Sequence, residues 1–149
     1  MAAIRLPARS FVAIFGSVAA DGSEPVVPLT MFSANGRVVN LEAVVDTGFN
    51  GEIILPTELI RRLGYRYVGT AGGVLADGSG SEMDYCSGSL SWHGEKLEVV
   101  VLAGEGAPLV GMGLLEGSRL TVDAVPGGEV VIEFLQQVRR SEGLPQAPE

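Results

Sequence analysis

The chain carries one aspartate set in a tight turn between two apolar runs, and that arrangement constrains the fold more than any other feature. Val38 to Val45 alternates, with Asn40 and Glu42 on one face and Val39, Leu41 and Ala43 on the other, as a half-buried strand does. It delivers Asp46-Thr47-Gly48 at its end, and Glu52 to Leu55 leaves the turn as a second strand. Asp, Thr and Gly are also ordinary turn residues, because Asp bonds its own backbone and Gly tolerates sharp bends. The triplet alone therefore fixes only a turn, and its neighbours decide what the turn is for.

Those neighbours read as short strands joined by Gly-rich turns, the pattern of an all-β domain. Glu24 to Phe32 is a strand, and its Pro25 and Pro28 point to a sheet edge. Ser33-Ala34-Asn35-Gly36 supplies an Asn-Gly hairpin turn. Pro56 to Leu63 is the clearest helix. Pro56 suits its first turn, Glu58 its positive end, Arg61 and Arg62 its negative end, and Gly64 its C-cap. Tyr67 to Leu75 and Ser81 to Trp92 form a long hairpin around Ala76-Asp77-Gly78-Ser79, and His93-Gly94 makes the next turn. Leu97 to Ala103 is a core strand, and Thr121 to Asp123 and Glu129 to Phe134 are terminal strands around Pro126-Gly127-Gly128.

Three segments in order carry a resemblance to a known family: Val44 to Gly51 with Leu55 to Leu59, the hairpin Val74 to Ser79, and Pro108-Leu109-Val110-Gly111-Met112-Gly113-Leu114-Leu115. Together they resemble the retropepsin-like aspartic proteases, most closely the small bacterial branch with a single Asp-Thr-Gly. The resemblance spans roughly Gly16 to Glu133. It implies a closed, barrel-like β-domain with one or two short helices that works as a two-fold homodimer. Asp46 of each subunit would form the catalytic pair, with Thr47 and Gly48 supporting the active-site loops. Two carboxylates about 3 Å apart share one proton, so the pair would activate a water against a peptide bond without metal or cofactor. Phe49, Asn50, Ala76, Asp77 and Gly78 would contact the substrate, the last three from a flap over the cleft. The apolar-apolar-Gly element Leu109-Val110-Gly111 would pack beneath the catalytic loop, and the terminal strands would build much of the dimer interface. The resemblance thus implies an aspartic endopeptidase acting on a peptide or protein. The alternative is a non-catalytic dimerisation or peptide-binding module with the same groove. Two residues depart from the family pattern. Phe49 stands where Ala or Ser is common after Asp-Thr-Gly, and Gly113 stands where a polar residue is common. As a helix residue, Gly113 is expected to weaken the following helix by about 1 kcal/mol relative to Ala.

Length and composition set outer bounds. The chain has 149 residues, 46% hydrophobic and 19% charged, with a formal net charge of −8, which suits one domain with a real core. Nucleic acid and anionic membranes call for clustered Lys and Arg, which Arg61-Arg62 and Arg139-Arg140 do not supply, so neither partner is expected. No apolar run approaches the roughly 20 residues of a membrane helix. Cys86 is the one cysteine. It excludes an intrachain disulfide and a four-Cys metal site and suits a reducing, cytoplasmic location. Residues 1–15 read as an N-terminal extension or strand, 16–135 as the protease-like domain and 136–149 as a polar, disordered tail. Arg5, Arg9 and the apolar run from Phe11 leave a signal peptide, and so export, as the alternative.

Other chemistries fit less well. A Cys86/His93 nucleophile pair lacks an evident third group to orient the base, and His93 reads better as a turn residue. The hydrolase elbow G-x-S-x-G and the phosphate-loop and dinucleotide signatures are absent. Asp77, Glu82 and Asp84 read as a solvated hairpin face, because a Ca²⁺ site needs more oxygen ligands in fixed geometry.

Overall fold

The structure, a computed structural model, describes residues 12–74 and 80–135. The expected tail over 136–149 lies outside them, as does most of the N-terminal extension. Among the described residues, ten strands and two short helices follow in chain order: β1 (Ile14–Val18), β2 (Pro25–Phe32), β3 (Val38–Val45), β4 (Ile53–Leu55), α1 (Thr57–Leu63), β5 (Tyr67–Val74), β6 (Gly80–Trp92), β7 (Glu95–Ala103), β8 (Leu109–Val110), α2 (Met112–Leu115), β9 (Ser118–Val122) and β10 (Glu129–Phe134). They form one sheet in the order β5-β6-β7-β4-β8-β3-β2-β1-β10-β9, and β6 also pairs with β2, so the sheet folds back on itself. The mostly-β class expected from the turn spacing is what the chain adopts.

Local chemistry explains the elements. Gly36 turns the β2–β3 hairpin at φ 88°, and its N–H donates to the Ser33 carbonyl at 2.9 Å. Helix α1 ends where Gly64 enters the left-handed region at φ 77°, which costs a residue without Cβ little. Glu58 pairs with Arg61 along its exposed face, while Ile60 and Leu63 are buried beneath.

The strand expected at an edge is internal. β2 pairs with β3 from Val26↔Val44 to Phe32↔Val38. Its other side is split, with Pro25 and Val26 paired to β1 and Thr30 to Phe32 paired to β6. Pro28 falls between these two stretches, where the neighbour changes and no ladder partner is required. The proline therefore marks a switch of partner and not an edge. Strand β9 also begins earlier than the terminal strand expected at Thr121. Gly117, at φ 87°, turns the chain directly after α2, so Ser118 already pairs with Phe134.

The core lies inside the folded sheet and is continuous. Ile53 sits at its crossing point, fully buried, paired with Val101 on one side and Val110 on the other. Truncating such a residue removes its transfer energy and leaves a cavity. Ile53→Ala is therefore expected to destabilise the fold by about 2–5 kcal/mol, and Val38→Ala, at a site 57% exposed, by less than about 0.5 kcal/mol. Urea unfolding followed by tryptophan fluorescence measures both, and equal losses would contradict the core assignment.

Candidate active site

Strand β8 runs between the strand that enters the Asp46 turn and the strand that leaves it. It is parallel to β3, with Val44↔Leu109 and Val45↔Val110, and antiparallel to β4, with Ile53↔Val110 and Ile54↔Leu109. The entering limb is fixed by backbone bonds, Val44 N–H to the Pro108 carbonyl at 2.9 Å and Asp46 N–H to the Val110 carbonyl at 2.8 Å. Past Val110 the chain turns at Gly111 into α2, whose first amides have no partner inside the helix. The loop supplies those partners. Gly111 N–H donates to the Glu52 carbonyl at 3.0 Å, Met112 N–H to the Phe49 carbonyl at 2.7 Å and Gly113 N–H to the Gly51 carbonyl at 2.9 Å. The start of α2 is thus the floor of the Asp46 loop.

The floor approaches so closely that side chains are excluded. A Cβ built on Gly111 would fall 2.3 Å from the Phe49 ring and 2.4 Å from the Gly51 carbonyl oxygen. One on Gly113 would lie 2.9 Å from the Asn50 and Gly51 carbonyl oxygens. Gly113 is therefore not a simple loss of helix propensity. It is the residue that lets α2 reach the loop backbone, and an alanine there would have to displace it.

Within the loop, the Asp46 carbonyl accepts the Phe49 N–H at 3.1 Å, closing a turn, and the Asp46 carboxylate Oδ1 accepts the Gly48 N–H at 2.9 Å. This is the local side-chain bond that makes Asp a favoured first turn residue. Asp46 is half-buried at the strand end, while Thr47, Gly48 and Asn50 are exposed. The Phe49 side chain folds onto Gly51 and Gly111, whose added Cβ atoms would meet its ring at 2.6 and 2.3 Å. Ala76, Asp77 and Gly78 lie outside the described residues. The hairpin that leads to them is formed by β5 and β6, paired from Tyr67↔Cys86 to Val74↔Gly80 with a register shift between Tyr67 and Gly69.

The competing residues are placed elsewhere. His93 occupies its turn at φ 54° and is buried. Its Nδ1 donates to the Val12 carbonyl at 3.0 Å, since a carbonyl can only accept, and its Nε2 then accepts the Ser118 hydroxyl at 2.9 Å. Cys86 is buried in β6, and burial pushes its thiol pKa up, the opposite of an activated nucleophile. Glu82 and Asp84 are exposed on β6. Among the described residues no group of three or more His, Cys, Asp or Glu side chains could hold a metal ion, and no helix is long and apolar enough to cross a membrane.

Two interactions were invisible in the linear sequence. One is the Phe49 ring on Gly111, distant in the chain. The other is the Glu52 side chain, whose Oε1 accepts the Val100 N–H at 2.7 Å.

Gly111→Ala is expected to destabilise the protein by at least about 1–3 kcal/mol through overpacking. Adding Phe49→Ala should leave most of that loss, because the Gly51 and Phe49 carbonyl oxygens, 2.4 and 2.6 Å from the new Cβ, remain. Denaturant midpoints of the single and double variants measure this, and full rescue by Phe49→Ala would contradict the backbone contact.

Among solved structures, the chain is similar to a retropepsin-like aspartic protease from Rickettsia conorii. The match has a TM-score of 0.53 and 21% identity, and covers 82% of this chain and 90% of that one. At that identity the likeness is one of fold. No family model matches the chain, and no curated protein matches it.

Proposed function

We propose that the protein is a homodimeric aspartic endopeptidase whose catalytic pair is Asp46 from each of two subunits. The observation that carries this reading is the Asp46 turn itself. A carboxylate stands at the end of a core strand, oriented by the Gly48 N–H, in a loop floored by the amides of residues 111–113 and flanked by exposed Thr47 and Gly48. The fold likeness to a retropepsin-like aspartic protease supports it independently of that motif.

The sequence holds one Asp-Thr-Gly, so a pair requires a second chain. Brought to about 3 Å, the two carboxylates cannot both ionise. The ionised one takes a proton from a water held between them as the water attacks the peptide carbonyl carbon, and the protonated one donates to the carbonyl oxygen. Proton transfer to the amide nitrogen then releases the new amine and carboxylic acid. Thr47 joins the two loops across the axis. Gly48, without a side chain, and exposed Asn50 present backbone to an extended peptide in strand-like fashion. Phe49 contributes both to the peptide-facing rim and, through its ring on Gly111, to the loop's rigidity. Ala76, Asp77 and Gly78 close over the peptide from the hairpin tip and exclude water.

Cleavage of a mixed peptide library from about pH 4 to 7.5 tests the reading. The wild type is expected to cleave, and Asp46→Ala is expected to lose at least about 1,000-fold in kcat/KM with an unchanged circular-dichroism spectrum. Activity retained in purified Asp46→Ala would overturn the assignment. Peptide binding without cleavage by a folded dimer would favour the non-catalytic module.

A further inference from the structure

We infer that Glu52 is a positioning residue for the Asp46 loop, tying that loop to the strand pair that carries the long hairpin. The inference rests on the aspartic-peptidase reading for its catalytic consequence, though not for its structural one. Glu52 is the last residue before β4, where the chain stops being loop and becomes core. Its backbone carbonyl is turned to β8 and α2, accepting Gly111 N–H at 3.0 Å. Its side chain is turned to β7, accepting Val100 N–H at 2.7 Å.

The geometry explains why a side-chain acceptor is needed there. β4 pairs in parallel with β7 from Ile53↔Val101 onward. The ladder's period of two, set by Gly104 N–H on the Leu55 carbonyl at 3.0 Å, would bring Val100 N–H to the Gly51 carbonyl. That carbonyl accepts Gly113 N–H at 2.9 Å, so no backbone acceptor is left for Val100. The Glu52 carboxylate takes that place and extends the ladder past the end of the strand. Its short distance is that of a charge-assisted bond.

The connection runs further. Val100 pairs with Ser87 of β6, and β6 is one arm of the hairpin whose tip bears Ala76, Asp77 and Gly78 in sequence. One side chain thereby fixes the outgoing limb of the Asp46 loop against the base of the hairpin proposed to close on it. Catalysis that depends on positioning within a fraction of an ångström is sensitive to such supports, so losing the clamp should lower kcat more than it raises KM.

Hydrogen exchange at the Val100 and Gly111 amides, measured with peptide cleavage on Glu52→Ala, Glu52→Gln and Glu52→Asp, tests this. In Glu52→Ala both amides are expected to exchange about tenfold faster, and kcat to fall about tenfold with KM within about twofold. Glu52→Gln, whose amide oxygen can accept the same bond, should recover most of both. Glu52→Asp keeps the charge but shortens the reach. It should show the Ala pattern at smaller amplitude, and decides the matter should the Ala variant fail to fold. Unchanged exchange at Val100 overturns the clamp, and faster exchange with unaltered kcat overturns the positioning role. A wild type that cleaves nothing counts against the peptidase reading, while the exchange data still decide whether Glu52 holds the loop.

Discussion

The fold turns on the close passage of Gly111 beneath the Asp46 loop. With hydrogen at its Cα, the chain leaving β8 comes within van der Waals contact of the Phe49 ring and the Gly51 carbonyl. Three successive amides can then be given to three loop carbonyls. These bonds satisfy the otherwise orphaned start of a four-residue helix and at the same time hold a loop that has no regular structure of its own. A short helix and an irregular loop, each marginal alone, thus stabilise one another. The strands on either side, β3 and β4, are held by the same β8, so the position of Asp46 is fixed from three directions.

That arrangement also accounts for the residues that stand apart from the family pattern. Phe49 fills the space above Gly51 and Gly111 that a smaller residue would leave open, and Gly113 admits the loop backbone. The two departures are neighbours in space and answer the same packing problem. They therefore give no reason to read the loop as degraded.

Much of this was legible in the sequence where the signal is local. The Asn35-Gly36 turn, the helix stopped by Gly64 and the alternation of Val38 to Val45 each follow from the chemistry of a few adjacent residues. Leu109-Val110-Gly111 was expected beneath the loop, and β8 lies between β3 and β4. What was not legible depends on partners distant in the chain. Pro28 suggested an edge because its missing N–H was visible, whereas the change of neighbour from β1 to β6 that accommodates it was not. Gly113 looked like a weakened helix because propensity is a property of one residue, whereas its clearance from Asn50 and Gly51 belongs to the packed structure. Glu52 was legible only as the start of the outgoing strand, because the bond its side chain accepts from Val100 N–H depends on a partner far along the chain.

The central claim is that one active site is built from two copies of Asp46. Its most direct test mixes wild-type chains with Asp46→Asn chains at fixed total concentration, allows subunits to exchange, and measures peptide cleavage against the wild-type fraction. If both aspartates are required in each site, activity falls as the square of that fraction, so an equimolar mixture retains about a quarter of the wild-type rate, given that a site with one remaining aspartate sustains little turnover. A linear fall, with half the rate at equimolar mixing, would mean that each chain acts alone and would contradict the account.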